Sequence, residues 1–353
     1  MKSFSKTILK WYHDNNYDFP FRGDRNPYEI WISECMLQQT QLSIVVPYYN
    51  KWLDALPSIQ SVAIAELDDI LKLWEGLGYY ARARNFYKAC IIVIEKYGGV
   101  VPHNISEFSK LPGVGPYIAS AVMSIAFNVP VPTIDGNTIR VVSRINSINL
   151  PYPRSRKDIN SMLEKHIDQQ SPGDFNQAIM DLGREICRPR KPLCNICPIS
   201  MFCNSFVNNS VDKYPIRLRP IIKRHYNVAV GIIWHKDQIL ISKRKIKGLL
   251  GGLWEFPGGK IEKGECAREC VVREVQEELG ICVLTKKFLS RIKHSYTHFS
   301  ITLDAFSCEY VNGKPRALGC DNWRWIYLDQ INDFAFPAAC HKLFQNIKKD
   351  VRK

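Results

Sequence analysis

The segment Leu111–Arg140, LPGVGPYIASAVMSIAFNVPVPTIDGNTIR, restricts the fold of this chain more than any other. Asn104–Lys110 is short, polar-capped and compatible with helix, and Pro116–Phe127 places Ile118, Ala119, Val122, Ile125 and Ala126 at helical spacing. Between the two, Pro112-Gly113-Val114-Gly115 must turn tightly. Its glycines let a ligand come close to the backbone, and the N–H groups opening the second helix sit at the positive end of its dipole, a site for one phosphate oxygen. Such a turn would grip a nucleic-acid backbone without reading its bases. An ordinary helical corner has the same local pattern, so the turn alone does not decide. Asp135 adds a lone carboxylate just ahead of a further helical stretch. That position suits a helix N-cap and equally a charge facing a reacting group.

Composition agrees with a polyanionic partner. The 353 residues carry a formal net charge of +14, and the 46% hydrophobic content supports real cores in two or three domains. A basic balance also describes many proteins that bind no nucleic acid. No run is apolar and long enough to span a membrane, and MKSFSKTILKWYHDNNYDF lacks the apolar core of a signal peptide. Cys35, Cys90, Cys266, Cys270, Cys282, Cys308, Cys320 and Cys340 form no secreted disulfide framework. The expectation is a soluble, cytoplasmic monomer, at the nucleoid if the cell is bacterial.

L-P-G-V-G-P-Y followed by T-I-D-G-N resembles the helix-hairpin-helix and aspartate signature of the endonuclease III superfamily of base-excision DNA glycosylases. Pro20-Phe21-Arg22, the run WISECMLQQTQ from Trp31 to Gln41, and GLGYYAR from Gly76 to Arg82 resemble the adenine-specific MutY branch, in the same order along the chain. The resemblance implies base-excision repair of double-stranded DNA in which adenine lies opposite 8-oxoguanine or guanine. It also implies residue roles: Glu34 protonates the adenine ring, Asp135 faces the sugar, and Tyr117 and Asn137 help hold the site and its water. Arg22, Gln39, Thr40, Leu77, Gly78, Tyr79, Gly113, Val114 and Gly115 match DNA-contacting positions. Gln39, Leu77 and Tyr79 would enter the duplex as the target base is flipped out, a rearrangement that costs a few kcal/mol.

The implied reaction explains why two acids are wanted. Adenine is a poor leaving group and its departure leaves an oxocarbenium-like sugar, so one group should protonate the base while an ionised carboxylate stabilises the cation. Trp31, Ile32, Met36 and Leu37 around Glu34 would raise its pKa. Superfamily members that also cut the backbone carry a Schiff-base lysine where this chain has Tyr117, and a phenol cannot form that imine. A monofunctional glycosylase is therefore expected, with any strand scission by Lys110 or another lysine weak and incidental. A non-enzymatic lesion-sensing protein would share the charge, turn and cysteines, but would not need Glu34 and Asp135 together.

Cys187, Cys194, Cys197 and Cys203 form C-x6-C-x2-C-x5-C beside Arg184, Arg188, Arg190 and Lys191. Four thiolates can hold zinc or a [4Fe–4S] cluster, and chemistry alone does not choose. The spacing resembles the iron–sulfur loop of the same glycosylases, which favours the cluster.

Periodicity changes after the cysteine loop. Residues 1–206 read as helices broken by Pro and Gly, 207–224 as an extended basic linker, and 225–353 as a mixed domain. In the last, Val228–Trp234 and Gln238–Ser242 form a hairpin around His235-Lys236-Asp237, and Phe299, Ile301, Leu303 and Ala305 alternate as a half-buried strand does. Gly259, Glu265, Arg273, Glu274, Glu277, Glu278, Gly280 and Ile281 satisfy the Nudix pattern G-x5-E-x7-R-E-U-x-E-E-x-G-U. Phe256–Lys260 precedes it as in MutT-type hydrolases, which the segment resembles. Glu274, Glu277 and Glu278 would share a helix face and suit Mg²⁺ on a pyrophosphate.

The expected fold is thus multidomain: an all-α helix-hairpin-helix glycosylase domain with an iron–sulfur cluster loop, followed by an α+β Nudix-like domain. Adenine glycosylases keep that second fold but generally lack its catalytic acids, so two uses compete. Either the domain hydrolyses oxidised nucleoside triphosphates such as 8-oxo-dGTP, or it inspects the base opposite adenine. His294–Phe299 resembles the F-S-H loop by which the family senses 8-oxoguanine, with Tyr296, Thr297 and His298 as the matching residues and a hydroxyl at Thr297 available to the lesion.

Overall fold

The computed structural model describes residues 3–15, 19–23, 25–218 and 223–351. The chain forms two compact units, Met1–Ile64 with Asn85–Pro220 and Ala65–Arg84 with Ile221–Lys353.

The first unit is helical. Helix Pro27–Leu37 starts where Asn26 Oδ1 accepts the Tyr28 N–H and Pro27 supplies a preset φ at the first helical position. Helix Pro116–Phe127 has the bounds that its spacing predicts and is buried from Ile118 to Ile125, which marks it as a central element. Helices Gly136–Ile145, Arg156–His166 and Pro172–Glu185 close one core, where Val141, Val142, Ile145, Leu163, Phe175, Ile179 and Leu182 meet Phe4 and Ile8 of the first helix. Burying each such side chain contributes about 1.5–3 kcal/mol, which holds these helix ends, and the residues on them, in register.

The linker expected at 207–224 begins differently. Helix Asn204–Val207 and the 3₁₀ turn Val211–Lys213 precede Tyr214, whose side chain is buried and whose carbonyl accepts Arg144 Nε at 3.1 Å. Its first part is therefore folded onto the helical unit rather than extended, because a buried arginine needs acceptors. Residues 219–222 of the linker lie outside the described residues.

The second unit is built on one mixed sheet of β1 (Arg224–His235), β2 (Gln238–Lys243), β3 (Trp254–Glu255), β4 (Gly258–Lys260), β5 (Cys282–Ser295), β6 (Phe299–Asn312) and β7 (Asn322–Tyr327). The order is β3-β2-β1-β6-β5, with β4 on β1 and β7 on β2; β1 and β6 run parallel and the other pairs antiparallel. β1 and β2 form the expected hairpin, with Lys236 at φ 55° in the turn. Helix Ala267–Leu279 buries Cys270, Val271, Val275 and Leu279 in one core, and the last helix, Ala338–Val351, buries Ala339, Leu343 and Phe344 in another.

Candidate active site

Glu34 sits in the last turn of helix Pro27–Leu37 and is 6% exposed, between buried Trp31, Ile32 and Met36. Its Oε2 accepts the phenol of Tyr117, which stands on the first turn of helix Pro116–Phe127. Burial pushes the Glu34 carboxyl up; the Tyr117 hydrogen bond and the Arg22 charge pull it down, and Asp135 and Asp181 push it up again. Burial likewise raises the Tyr117 phenol, reinforced by the Glu34 charge. A carboxyl that keeps its proton to unusually high pH is what an acid catalyst at neutral pH requires.

Asp135 caps helix Gly136–Ile145. Its Oδ1 accepts the Thr138 N–H at 2.6 Å and its Oδ2 accepts Asn137 Nδ2 at 3.0 Å. Asn137 Oδ1 in turn accepts Arg140 Nη2 at 2.7 Å, so the amide is oriented from both ends. The helix N-cap expected of Asp135 is present.

Arg22 and Asp181 complete the polar layer. Arg22 Nη2 lies 3.3 Å from Asp181 Oδ1, and Arg184 Nη1 lies 3.1 Å from the same oxygen. Asp181 is 2% exposed, and burial raises its carboxyl while the two arginines lower it. Asp181 was not foreseen from sequence. Its signal was available: an acid inside the buried run Ala178-Ile179-Met180-Asp181-Leu182 must have a partner. Arg22 Nε is buried with no protein partner.

The hairpin turn has the expected form. Asn104 caps the short helix Ile105–Phe108, Gly113 takes φ 80°, and a Cβ added there would stand 2.7 Å from Asn85 Cβ. Val114 is buried and anchors the turn, while Gly113 and Gly115 are exposed. No side chain caps helix Pro116–Phe127, and open space surrounds Gly115, so its N-terminal N–H groups are accessible to an anion. Gln39 follows the Glu34 helix, exposed and in the left-handed region at φ 57°, with half-buried Thr40 beside it.

Cys187, Cys194, Cys197 and Cys203 line one small cavity with Arg144, Ile186, Phe206 and Val211, and all twelve cysteines are free thiols. Burial pushes Cys197 up to about 12 and also raises Cys194 and Cys203. Arg144, 2% exposed, donates from Nη1 to Cys187 Sγ at 3.2 Å and to the Arg188 carbonyl at 2.8 Å. Among the described residues no group of three or more His, Cys, Asp or Glu is arranged to hold a metal ion. Four thiols around a common cavity, with an arginine donating to one of them, are a donor set that a [4Fe–4S] cluster or zinc can take.

In the second unit Leu77 is buried, Gly78 and Tyr79 are half-buried, and Tyr79 holds φ 47°. Between β5 and β6, Tyr296 turns inward, stacked on Phe299 with ring centroids 4.6 Å apart, and burial lifts its phenol to about 12. Thr297 and His298 are exposed. A cavity of about 550 Å³ is lined by Glu255, Glu274 and Glu278 together with Arg244, Phe256 and His298. Glu274 lies directly over Gly259, where a Cβ would stand 2.1 Å from its Oε1. Burial and the neighbouring Glu255 and Glu274 charges lift Glu278 to about 8, and its Oε2 is buried with no protein partner. Glu277 is instead 59% exposed and pairs with Arg273 at 3.2 Å. Arg273 also grips both oxygens of Glu265 and holds that carboxyl down at about 2. Glu255, paired with Arg244, was not foreseen.

A profile of the HhH-GPD superfamily of base excision DNA repair proteins matches residues 32–167, and a NUDIX domain profile matches residues 229–346. The chain is 33% identical to the adenine DNA glycosylase of Buchnera aphidicola subsp. Baizongia pistaciae, over 98% of this chain and 97% of that protein. It is 30% identical to the adenine DNA glycosylase of Rattus norvegicus, over 97% of this chain and 77% of that one. Among solved structures, a thermostable thymine-DNA glycosylase matches with TM-score 0.54 at 32% identity, over 58% of this chain and 95% of its own. A trapped endonuclease III–DNA covalent intermediate matches with TM-score 0.51 at 26% identity, over 58% and 94%. Similarity that runs through both units, on a helical unit of endonuclease III type, establishes that this chain belongs to the adenine DNA glycosylase family.

Proposed function

We propose that this protein is a monofunctional glycosylase that hydrolyses the N-glycosidic bond of adenine opposite 8-oxoguanine or guanine in double-stranded DNA. The observation that carries this reading is Glu34, a buried carboxyl with a raised pKa held by Tyr117, where strand-cutting relatives need an amine. The flipped adenine takes the Glu34 proton as the bond to C1′ breaks. Asp135, fixed by the Thr138 N–H and the Asn137 amide, faces the developing positive charge, and water then adds to C1′ as its proton passes to the Glu34 carboxylate. Gly113–Gly115 holds a phosphate, and Arg22, Gln39, Thr40 and the turn Leu77-Gly78-Tyr79 contact the duplex.

Cys187, Cys194, Cys197 and Cys203 would hold a [4Fe–4S] cluster, which when bound supplies a rigid, redox-capable staple rather than catalytic groups. Thr297 and His298, exposed at the β5–β6 turn, read the base opposite adenine, with Tyr296 bracing them from the core. We place the protein as a monomer in the cytoplasm; among the described residues no helix is long and apolar enough to cross a membrane.

Single-turnover excision of adenine opposite 8-oxoguanine tests the mechanism. Glu34→Gln and Asp135→Asn should each lose roughly 10²–10⁴ in rate with duplex binding kept. Equal base release by both variants and the parent refutes it. Asp135→Asn keeps a cap of similar quality, whereas Asp135→Ala also costs about 1 kcal/mol of stability. A borohydride-stable DNA adduct formed as fast as base release would refute the monofunctional assignment.

A second activity, Mg²⁺-dependent hydrolysis of an oxidised nucleoside triphosphate, is favoured by the unpartnered Glu278 Oε2 beside Glu255 and Glu274 in a nucleotide-sized cavity. Pyrophosphate release from 8-oxo-dGTP should then vanish in Glu278→Gln. Release no greater than that of the variant leaves the cavity to lesion recognition.

A further inference from the structure

Residues Ala65–Arg84 fall inside the helical half of the sequence yet pack with the C-terminal unit. Helix Leu67–Leu73 leads into the turn Gly76-Leu77-Gly78-Tyr79, and its attachments are polar and directional. Asp68 pairs with Lys243 on β2 and accepts Trp254 Nε1 at 3.4 Å. Glu75, at the foot of the turn, accepts the Phe336 N–H at 2.7 Å and lies 3.0 Å from His341 Nε2. Lys72 donates to the Phe334 carbonyl at 3.1 Å, and Arg84 to the Gly251 carbonyl at 2.7 Å. Above these anchors Trp74 Nε1 donates to the Gly78 carbonyl at 3.0 Å, and Arg82 to the carbonyls of Leu77 and Gly78. Tyr79 itself holds φ 47°, with its ring edge-on to His298 at 6.3 Å. A side chain of that size stays in the left-handed region only where its surroundings over-determine it.

We propose that the C-terminal unit is the mould for the Gly76–Tyr79 turn, and that Asp68, Glu75, Lys243 and His341 are positioning residues for extrusion of the target base. The inference rests on the reading that Leu77 and Tyr79 enter the duplex. Its physical content is that hydrogen bonds to ionised groups are stronger and more directional than the apolar contacts of a loop, so a seven-residue helix can hold the turn still. Removing one anchor leaves Glu34, Tyr117 and Asp135 untouched but lets the turn drift. A misplacement on the order of 1 Å costs about 10²-fold in a geometry-limited step.

The test uses the full chain and a duplex carrying 2-aminopurine beside the target adenine, opposite 8-oxoguanine. Fluorescence reports extrusion, single-turnover excision reports chemistry, and affinity is read separately. Asp68→Ala and Glu75→Ala should lower the extrusion amplitude and slow excision roughly 10- to 100-fold with affinity kept. Glu75→Gln, whose amide oxygen still accepts the Phe336 N–H, should recover most of the loss, as should the swap Asp68→Lys with Lys243→Asp. Wild-type extrusion in the alanine variants, or no recovery in the swap, overturns the proposal. Leu77→Ala and Tyr79→Ala separate the two layers. If they abolish extrusion while the anchor variants do not, only the positioning role falls. If they too leave extrusion unchanged, the duplex-entry reading fails and takes the proposal with it.

Discussion

The phenol of Tyr117 donates to Oε2 of Glu34 and so ties the second helix of the hairpin to the helix that carries the acid. Gly113 and Gly115 are exposed at the turn, and Tyr117, four residues after the first of them, sets the environment of the Glu34 carboxyl.

Tyr117→Phe removes an interaction that pulls the Glu34 carboxyl down, so burial acts with less opposition and its pKa climbs further. The protonated acid then survives to higher pH. The alkaline limb of the single-turnover pH–rate profile should move upward, with the plateau rate changed by roughly tenfold or less. An unmoved limb would disconnect the two residues.

Glu34→Gln should stabilise the fold while destroying activity. A carboxyl whose pKa is raised on folding binds its proton more tightly in the native state, so stability falls as pH rises from the unfolded pKa through the folded one. At neutral pH that penalty is present, and the amide removes it. Thermal midpoints should therefore rise in the variant at pH 7, by roughly 2–4 °C per kcal/mol relieved, and converge with the parent near pH 4. A midpoint lower than the parent at pH 7 would sink this account.

The two hairpin glycines should fail differently. Gly113→Ala meets Asn85 Cβ and a φ of 80°, so it should cost about 1–2 kcal/mol of stability and weaken DNA binding with it. Gly115→Ala meets open space at φ −81°, so the fold should keep its midpoint while a phosphate can no longer approach as closely. Titration of duplex DNA at two salt concentrations, alongside thermal melts, checks both; unchanged affinity in a folded Gly115→Ala protein removes the turn from the interface.

Arg144→Met keeps the aliphatic stem but abandons Cys187 Sγ and the carbonyls of Arg188 and Tyr214, while the Cys187 carbonyl keeps Arg140 Nε. Each buried acceptor left unpaired costs about 1–3 kcal/mol. Iron and sulfide per chain, with the visible absorbance of the purified protein, should fall well below the parent. Full loading in a variant of normal stability would show that the arginine does not support the thiolates.

The sequence by itself determined whatever depends on neighbours along the chain. The bounds of helix Pro116–Phe127, the β1–β2 hairpin, the cap at Asp135 and the cysteine spacing all follow from period, punctuation and short-range chemistry. The apolar company of Glu34 was equally legible, and with it the sign of its pKa shift. Tertiary structure decided the rest. Arg22 and Asp181 meet across more than a hundred residues, and Glu255 joins Glu274 and Glu278 from another element. Neighbouring Glu277 and Glu278 differ by about 100° around their helix, so one pairs with Arg273 in solvent while the other enters the cavity. Residues 65–84 belong with the C-terminal unit because charged anchors on β2 and near Phe336 hold them there, and no local period encodes a partner chosen by packing.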